Sequence, residues 1–154
     1  MSDKKTNAVS KKNNSFRLKL PANSENLDII RKFVSGIAEN IGFNEEEVYQ
    51  IELAVDEACA NIINHAYKND NMPTEKIIHV TVRTRKDRIE VKIADKGVGF
   101  DPESLETPDM DRYLRERKQG GLGVHLIKTL MDEVKFHIKP GVRNEVKMVK
   151  YLQK

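Results

Sequence analysis

The chain has 154 residues, enough for one domain with a single core, and 38% of them are hydrophobic, which is the composition of a folding chain. No apolar run reaches 18 residues and the chain opens Met1-Ser2-Asp3-Lys4-Lys5, so neither a membrane-spanning helix nor a cleaved secretory signal is expected; the reading is cytoplasmic. The formal charge of +3 sits in residues 1–15, with four Lys against Asp3, and the remaining 23 basic and 23 acidic residues balance, so nothing points to nucleic acid.

Residues 1–14 are Lys-, Asn- and Ser-rich and read as a flexible basic tail ahead of one domain, 15–154. Phe16-Arg17-Leu18-Lys19-Leu20 alternates with period two, predicting a half-buried strand closed by Pro21. Ser24 is the predicted N-cap of a helix with Leu27, Ile30, Phe33, Val34, Ile37, Ala38 and Ile41 on its buried stripe and Gly42 as C-cap. Asn44 caps a second helix, with Glu45, Glu46 and Glu47 near the positive end of its dipole, running to about Tyr67.

Two runs, Lys76 to Arg85 and Arg88 to Ala94, predict an antiparallel hairpin turned at Lys86-Asp87. Residues 96–120 lose any helical or strand period for most of their length, and a loop of that size in a small domain reads as functional, here a lid at about 100–120. A short helix from Leu122 to Met131 follows, then a closing hairpin, Glu133 to Lys139 and Asn144 to Leu152. This order predicts an α+β fold, a two-layer sandwich with helices on one face of a mixed or antiparallel sheet. Cys59 is the one cysteine, and the four scattered His leave no zinc spacing.

Three places carry candidate chemistry. On a helical wheel Val48, Ile51, Val55, Ala58 and Ile62 share one face, with Glu57, Asn61 and Asn64 together beside it. A carboxylate and amide carbonyls there suit Mg²⁺, a hard cation that takes oxygen ligands and keeps others from water and phosphate; a solvated polar flank fits the same spacing. Asp95-Lys96-Gly97-Val98-Gly99 follows a strand, so a carboxylate acceptor stands beside glycines that let a ligand approach, although a plain turn would read the same. Gln119-Gly120-Gly121-Leu122-Gly123-Val124 opens a helix, where free backbone N–H groups form a phosphate cradle; a glycine hinge is compatible with it.

In this order the three elements resemble the N, G1 and G2 boxes of the GHKL (Bergerat-fold) ATP-binding superfamily: Glu57-x-x-x-Asn61, Asp95-x-Gly97-x-Gly99 and Gly121-x-Gly123. Residues 54–67 and 120–134 are similar to bacterial anti-sigma factor serine/threonine kinases of the RsbW and SpoIIAB type. That resemblance implies ATP and Mg²⁺ as cofactors, Asn61 as metal ligand and Glu57 as the base for a Ser or Thr hydroxyl. It implies that Asp95 accepts the adenine amine, and that Asn64, Gly97, Gly99, Gly120, Gly121, Leu122 and Gly123 complete the nucleotide site. The implied partners are a STAS-domain anti-anti-sigma protein, a sigma factor and a second copy of the chain. Two positions depart from the family: Gln119 stands where the kinases commonly have Arg, and Arg143-Asn144 where they commonly have Gly-Thr, so Asn144 offers an amide in place of a hydroxyl. The rival reading is a nucleotide-responsive binding module without phosphotransfer. A histidine-kinase catalytic domain would need a helix carrying the accepting His, and a gyrase- or MutL-type ATPase a following transducer domain.

Overall fold

Alternation in the strands and 3.6-residue spacing in the helices give each element one apolar side, and the fold brings those sides together. The structure, a computed structural model, describes residues 13–66, 76–97 and 121–153. Strand β1 (Asn14–Pro21) leads through a 3-10 turn at Ser24–Asn26 into α1 (Leu27–Ile41) and α2 (Glu45–Asn61), which continues as a π-helical turn at Ile62–Ala66. Then come β2 (Ile77–Arg85), β3 (Arg88–Asp95), α3 (Gly121–Leu130), β4 (Glu133–Lys139) and β5 (Arg143–Tyr151). The strands form one sheet in the order β1-β2-β3-β5-β4, and every neighbouring pair is antiparallel. The predicted α+β two-layer fold is therefore present, its sheet antiparallel throughout the described strands.

The core lies between the helices and one sheet face. Ile78, Val80 and Val82 of β2, Ile89, Val91 and Ile93 of β3 and Met148 of β5 are buried against Ile30 and Val34 of α1, Ile51 and Val55 of α2 and Ile127 of α3. Helix α2 packs against both α1 and α3, which makes it the central element of that layer. Its start is fixed locally: the Asn44 side chain accepts from the Glu47 amide at 2.9 Å, and the Glu47 carboxylate accepts from the Asn44 amide at 3.0 Å. Gly42 closes α1 at φ 113°, a left-handed geometry that favours glycine, and its N–H donates to the Ala38 and Glu39 carbonyls.

One cap differs from expectation. Ser24 does not cap α1, because Ser24–Asn26 forms the separate 3-10 turn and the helix begins at Leu27. Asn26, in the capping position, instead donates its side-chain amide to the Pro21 carbonyl at 2.9 Å, tying the turn to the end of β1. The lid at 100–120 lies outside the described residues, as do Gly99, Gly120 and the basic tail up to residue 12. Among the described residues no helix is long and apolar enough to cross a membrane.

Candidate functional site

The C-terminal part of α2, the end of β3, α3 and the β4–β5 hairpin converge on one cleft. Its lining includes Ala58, Asn61 and Ile62 from α2 and the turn after it, Ile93 and Asp95 from β3, Ile127 from α3, Phe136 and Ile138 from β4, and Asn144 from β5. Most of these groups are apolar, and three are buried polar side chains: Asn61, Asp95 and Asn144, at 2%, 4% and 2% exposure. A cleft of mostly apolar walls with a few convergent polar groups suits a flat heterocycle whose edge carries hydrogen-bonding atoms.

Asp95 ends β3 directly opposite Asn144 in the β3–β5 register. Its Oδ1 accepts from the Gly97 amide at 2.7 Å and from the Asn144 side-chain amide at 2.9 Å. The same Asn144 nitrogen lies 2.8 Å from the Gly97 carbonyl, which also accepts from the Gly141 amide at 2.7 Å. The turn after β3 is thereby pinned to the β4–β5 hairpin. Burial pushes the Asp95 carboxyl above its ordinary pKa, partly opposed by the bonds from Asn144 and Gly97 and by the charge of Arg143. Gly97 thus stands beside the carboxylate as the Asp-x-Gly pattern predicts, and Asn144 supplies the amide bridge.

Asn61 projects into the cleft as the last residue of the regular part of α2. Its Oδ1 is buried and, among the described residues, has no hydrogen-bond partner, and neither has Asn144 Oδ1. A buried carbonyl oxygen without a donor is costly, and both oxygens line the same cleft; each is an acceptor ready for a ligand group or a hard cation. Glu57 lies one turn before Asn61 and is half-buried, and its carboxyl is held above the ordinary range first by burial and then by the negative charge of Asp56. Asp56 itself is held by Arg31, whose guanidinium lies 3.2 Å from the carboxylate.

Asn64 is separated from this pair. It is exposed whereas Asn61 is buried, because the backbone switches to π-helical geometry at Ile62 and the wider turn rotates the following residues off the 100° wheel. Gly121, Leu122 and Gly123 form the first turn of α3, so their backbone N–H groups are among those an α-helix leaves without internal partners. The apolar walls from Phe136 and Ile138 and the Gly141 contact have no signature in the residue pattern. These lie on a hairpin whose position beside β3 follows from strand order, which no local pattern encodes. Cys59, buried in the core with its thiol pushed up to about 12, is chemically quiet.

Residues 20–150 match the histidine kinase-like ATPase domain family. The chain is 38% identical over 143 residues to the serine-protein kinase RsbW of Bacillus licheniformis, covering 90% of this chain and 86% of that one. It is 36% identical over the same length to the serine-protein kinase RsbW of Bacillus cereus. A chain in the crystal structure of the SiaB–SiaC complex from Pseudomonas aeruginosa shares the fold, with a TM-score of 0.64 over 96% of this chain and 95% of that one at 12% identity.

Proposed function

The chain belongs to the histidine kinase-like ATPase family, among relatives that are serine-protein kinases of the RsbW type, and on that premise we propose how its own residues carry out ATP-dependent phosphorylation of a protein serine. The observation that carries the reading is the cleft in which the buried Asp95 carboxylate and the Asn61 and Asn144 side-chain oxygens, unpartnered among the described residues, meet around apolar walls that include Ile127 of α3.

The free Asp95 oxygen accepts the exocyclic amine of adenine, while its other oxygen remains engaged by Gly97 and Asn144. Gly97 and Gly99 admit the base and sugar. The amides of Gly120, Gly121, Leu122 and Gly123 receive phosphate oxygens, because unpaired N–H groups at a helix start favour anions. Asn61 Oδ1 fits a Mg²⁺ ligand, being a buried carbonyl oxygen with no donor of its own, and Asn64 stands one turn beyond as a contact on the exposed side. Mg²⁺ held there would neutralise charge on the phosphates. Glu57 is the general base: it takes the proton of the serine hydroxyl as that oxygen bonds to the γ-phosphorus and the bond to the β–γ bridging oxygen breaks, releasing ADP. A carboxyl already raised by burial is better suited to hold that proton than one at its ordinary pKa.

The serine belongs to a STAS-domain anti-anti-sigma partner, and the chain, as a homodimer in the cytoplasm, sequesters a sigma factor when that partner is phosphorylated. Support for this finer reading is the similarity to RsbW kinases over most of both chains. The test is incubation of the protein with ATP, Mg²⁺ and a STAS-domain anti-anti-sigma protein from the same organism, followed by mass spectrometry. A phosphoserine on the partner is expected; ATP bound with no phosphate transferred would leave a nucleotide-responsive binding module.

A further inference from the structure

The sheet face turned away from the helices carries an ordered row of cations. Strand register sets Arg17 opposite Thr81, Thr81 opposite Lys92, Lys92 opposite Lys147 and Lys147 opposite Lys135. One line therefore crosses all five strands, and with neighbouring strands about 4.8 Å apart it spans about 19 Å. Arg17 and Lys135 are exposed at its ends, and Lys92 and Lys147 are half-buried between them.

Like charges directly opposite in a sheet repel, and little among the described residues offsets them. Lys147 lies 3.1 Å from the Glu90 carboxylate, but that carboxylate is already shared with Arg85 and Arg88. Arg17, Lys92 and Lys135 have no ion-pair partner among the described residues. The rest of the face has the same sign: on the outward positions of β1–β5, Lys and Arg outnumber Glu ten to three. Helices α1 and α2 carry the opposite excess, eight acidic residues against Arg31 and Lys32. His79 of β2 registers the field, its pKa lowered by burial and by Arg143, Lys19 and Lys96.

We propose that this sheet face docks an acidic protein partner, whose carboxylates line up along the row from Arg17 to Lys135. The surroundings of the row favour a protein over a nucleic acid. Beside it lie Glu90, Glu133 and Glu145, which repel phosphates, and of the rings on the outward positions of the described strands, His79, His137 and Tyr151, the last is engaged by Glu133 and Arg88. A second copy presenting the same face would oppose cation to cation. The proposal goes beyond phosphotransfer and does not depend on it.

The test uses the full chain, with poly-L-glutamate as the acidic polypeptide and fluorescence anisotropy as the readout at two salt concentrations. A variant with Arg17→Gln, Lys92→Gln and Lys135→Gln should weaken binding about tenfold or more and flatten the salt dependence. A variant with Lys4→Gln, Lys5→Gln, Lys11→Gln and Lys12→Gln removes the tail's positive charge and should bind about as wild type does. Circular dichroism checks folding, and Lys135→Gln alone, on an edge strand, should give part of the loss should the triple variant not fold. Unchanged binding in the row variants overturns the proposal, as does loss in the tail variant. It is equally overturned by tighter binding to oligo-dT or to phosphatidylglycerol vesicles at matched charge, or by a row variant that changes the oligomeric state in sedimentation without probe.

Discussion

The Asn144 side-chain amide donates to the Asp95 carboxylate at 2.9 Å, from the position directly opposite it across the β3–β5 pair. The bond joins residues 49 apart in sequence and leaves one Asp95 oxygen and the Asn144 carbonyl for the cleft. In the proposed site, an amide that bridges two strands holds the carboxylate that would face the base.

Asp95→Asn should separate stability from binding. The Asp95 carboxyl is raised in the folded state, so the native protein binds its proton more readily than the unfolded chain does, and the carboxylate's contribution to stability falls as pH rises through and above 3.8. An Asn oxygen keeps both internal hydrogen bonds without a buried charge. The variant should equal or exceed wild type by about 1 kcal/mol at pH 7, the gap closing below pH 4, while ATP binding weakens by about 1–3 kcal/mol and preference over GTP falls. Urea melts at the two pH values and calorimetry with both nucleotides measure this; a large loss of stability at pH 7 would make Asp95 a structural residue.

Asn144→Asp should behave in the opposite sense. It sets a second carboxylate against Asp95, and one of the two must stay protonated to keep the bridge. Stability should drop by about 3 kcal/mol at pH 7 and return as pH falls below about 4. A melting temperature indifferent to pH would show that the bridge contributes little.

Asn61→Ala removes the buried oxygen that lacks a donor in the cleft. Affinity for ATP without Mg²⁺ should be nearly unchanged, and the extra affinity that Mg²⁺ confers should fall about tenfold or more. Equal Mg²⁺ enhancement in both proteins would remove Asn61 from the metal site.

Much of this was legible from residue patterns. The Asn44 cap, the Gly42 stop, the hairpin at Lys86-Asp87 and the inward face of α2 are local, and the structure has them, with the Glu47 carboxylate returning a bond to Asn44 besides. Ser24 was misplaced because Asn26 turned its amide to Pro21 rather than to the helix end, a choice no propensity encodes. Asn64 left the Asn61 stripe because no residue marks the change to π-helical geometry at Ile62. The charged faces were hidden for another reason: the acids of α1 and α2 cancel the cations of the sheet in any sum, and Arg17, Lys92, Lys147 and Lys135 form a row only once the register is known.

Glu57 is where the account is most exposed. Glu57→Gln preserves size and hydrogen bonding but removes the proton acceptor, so the decisive measurement is transfer of γ-³²P from ATP to the STAS partner by wild type and by this variant, at matched ATP occupancy and across pH. ATP affinity should be unchanged, transfer should fall by about 10²–10⁴, and the wild type should show an acid limb displaced above 4.5, the carboxyl's ordinary value, that is absent from the variant. Equal labelling by both proteins would contradict this and place the base elsewhere.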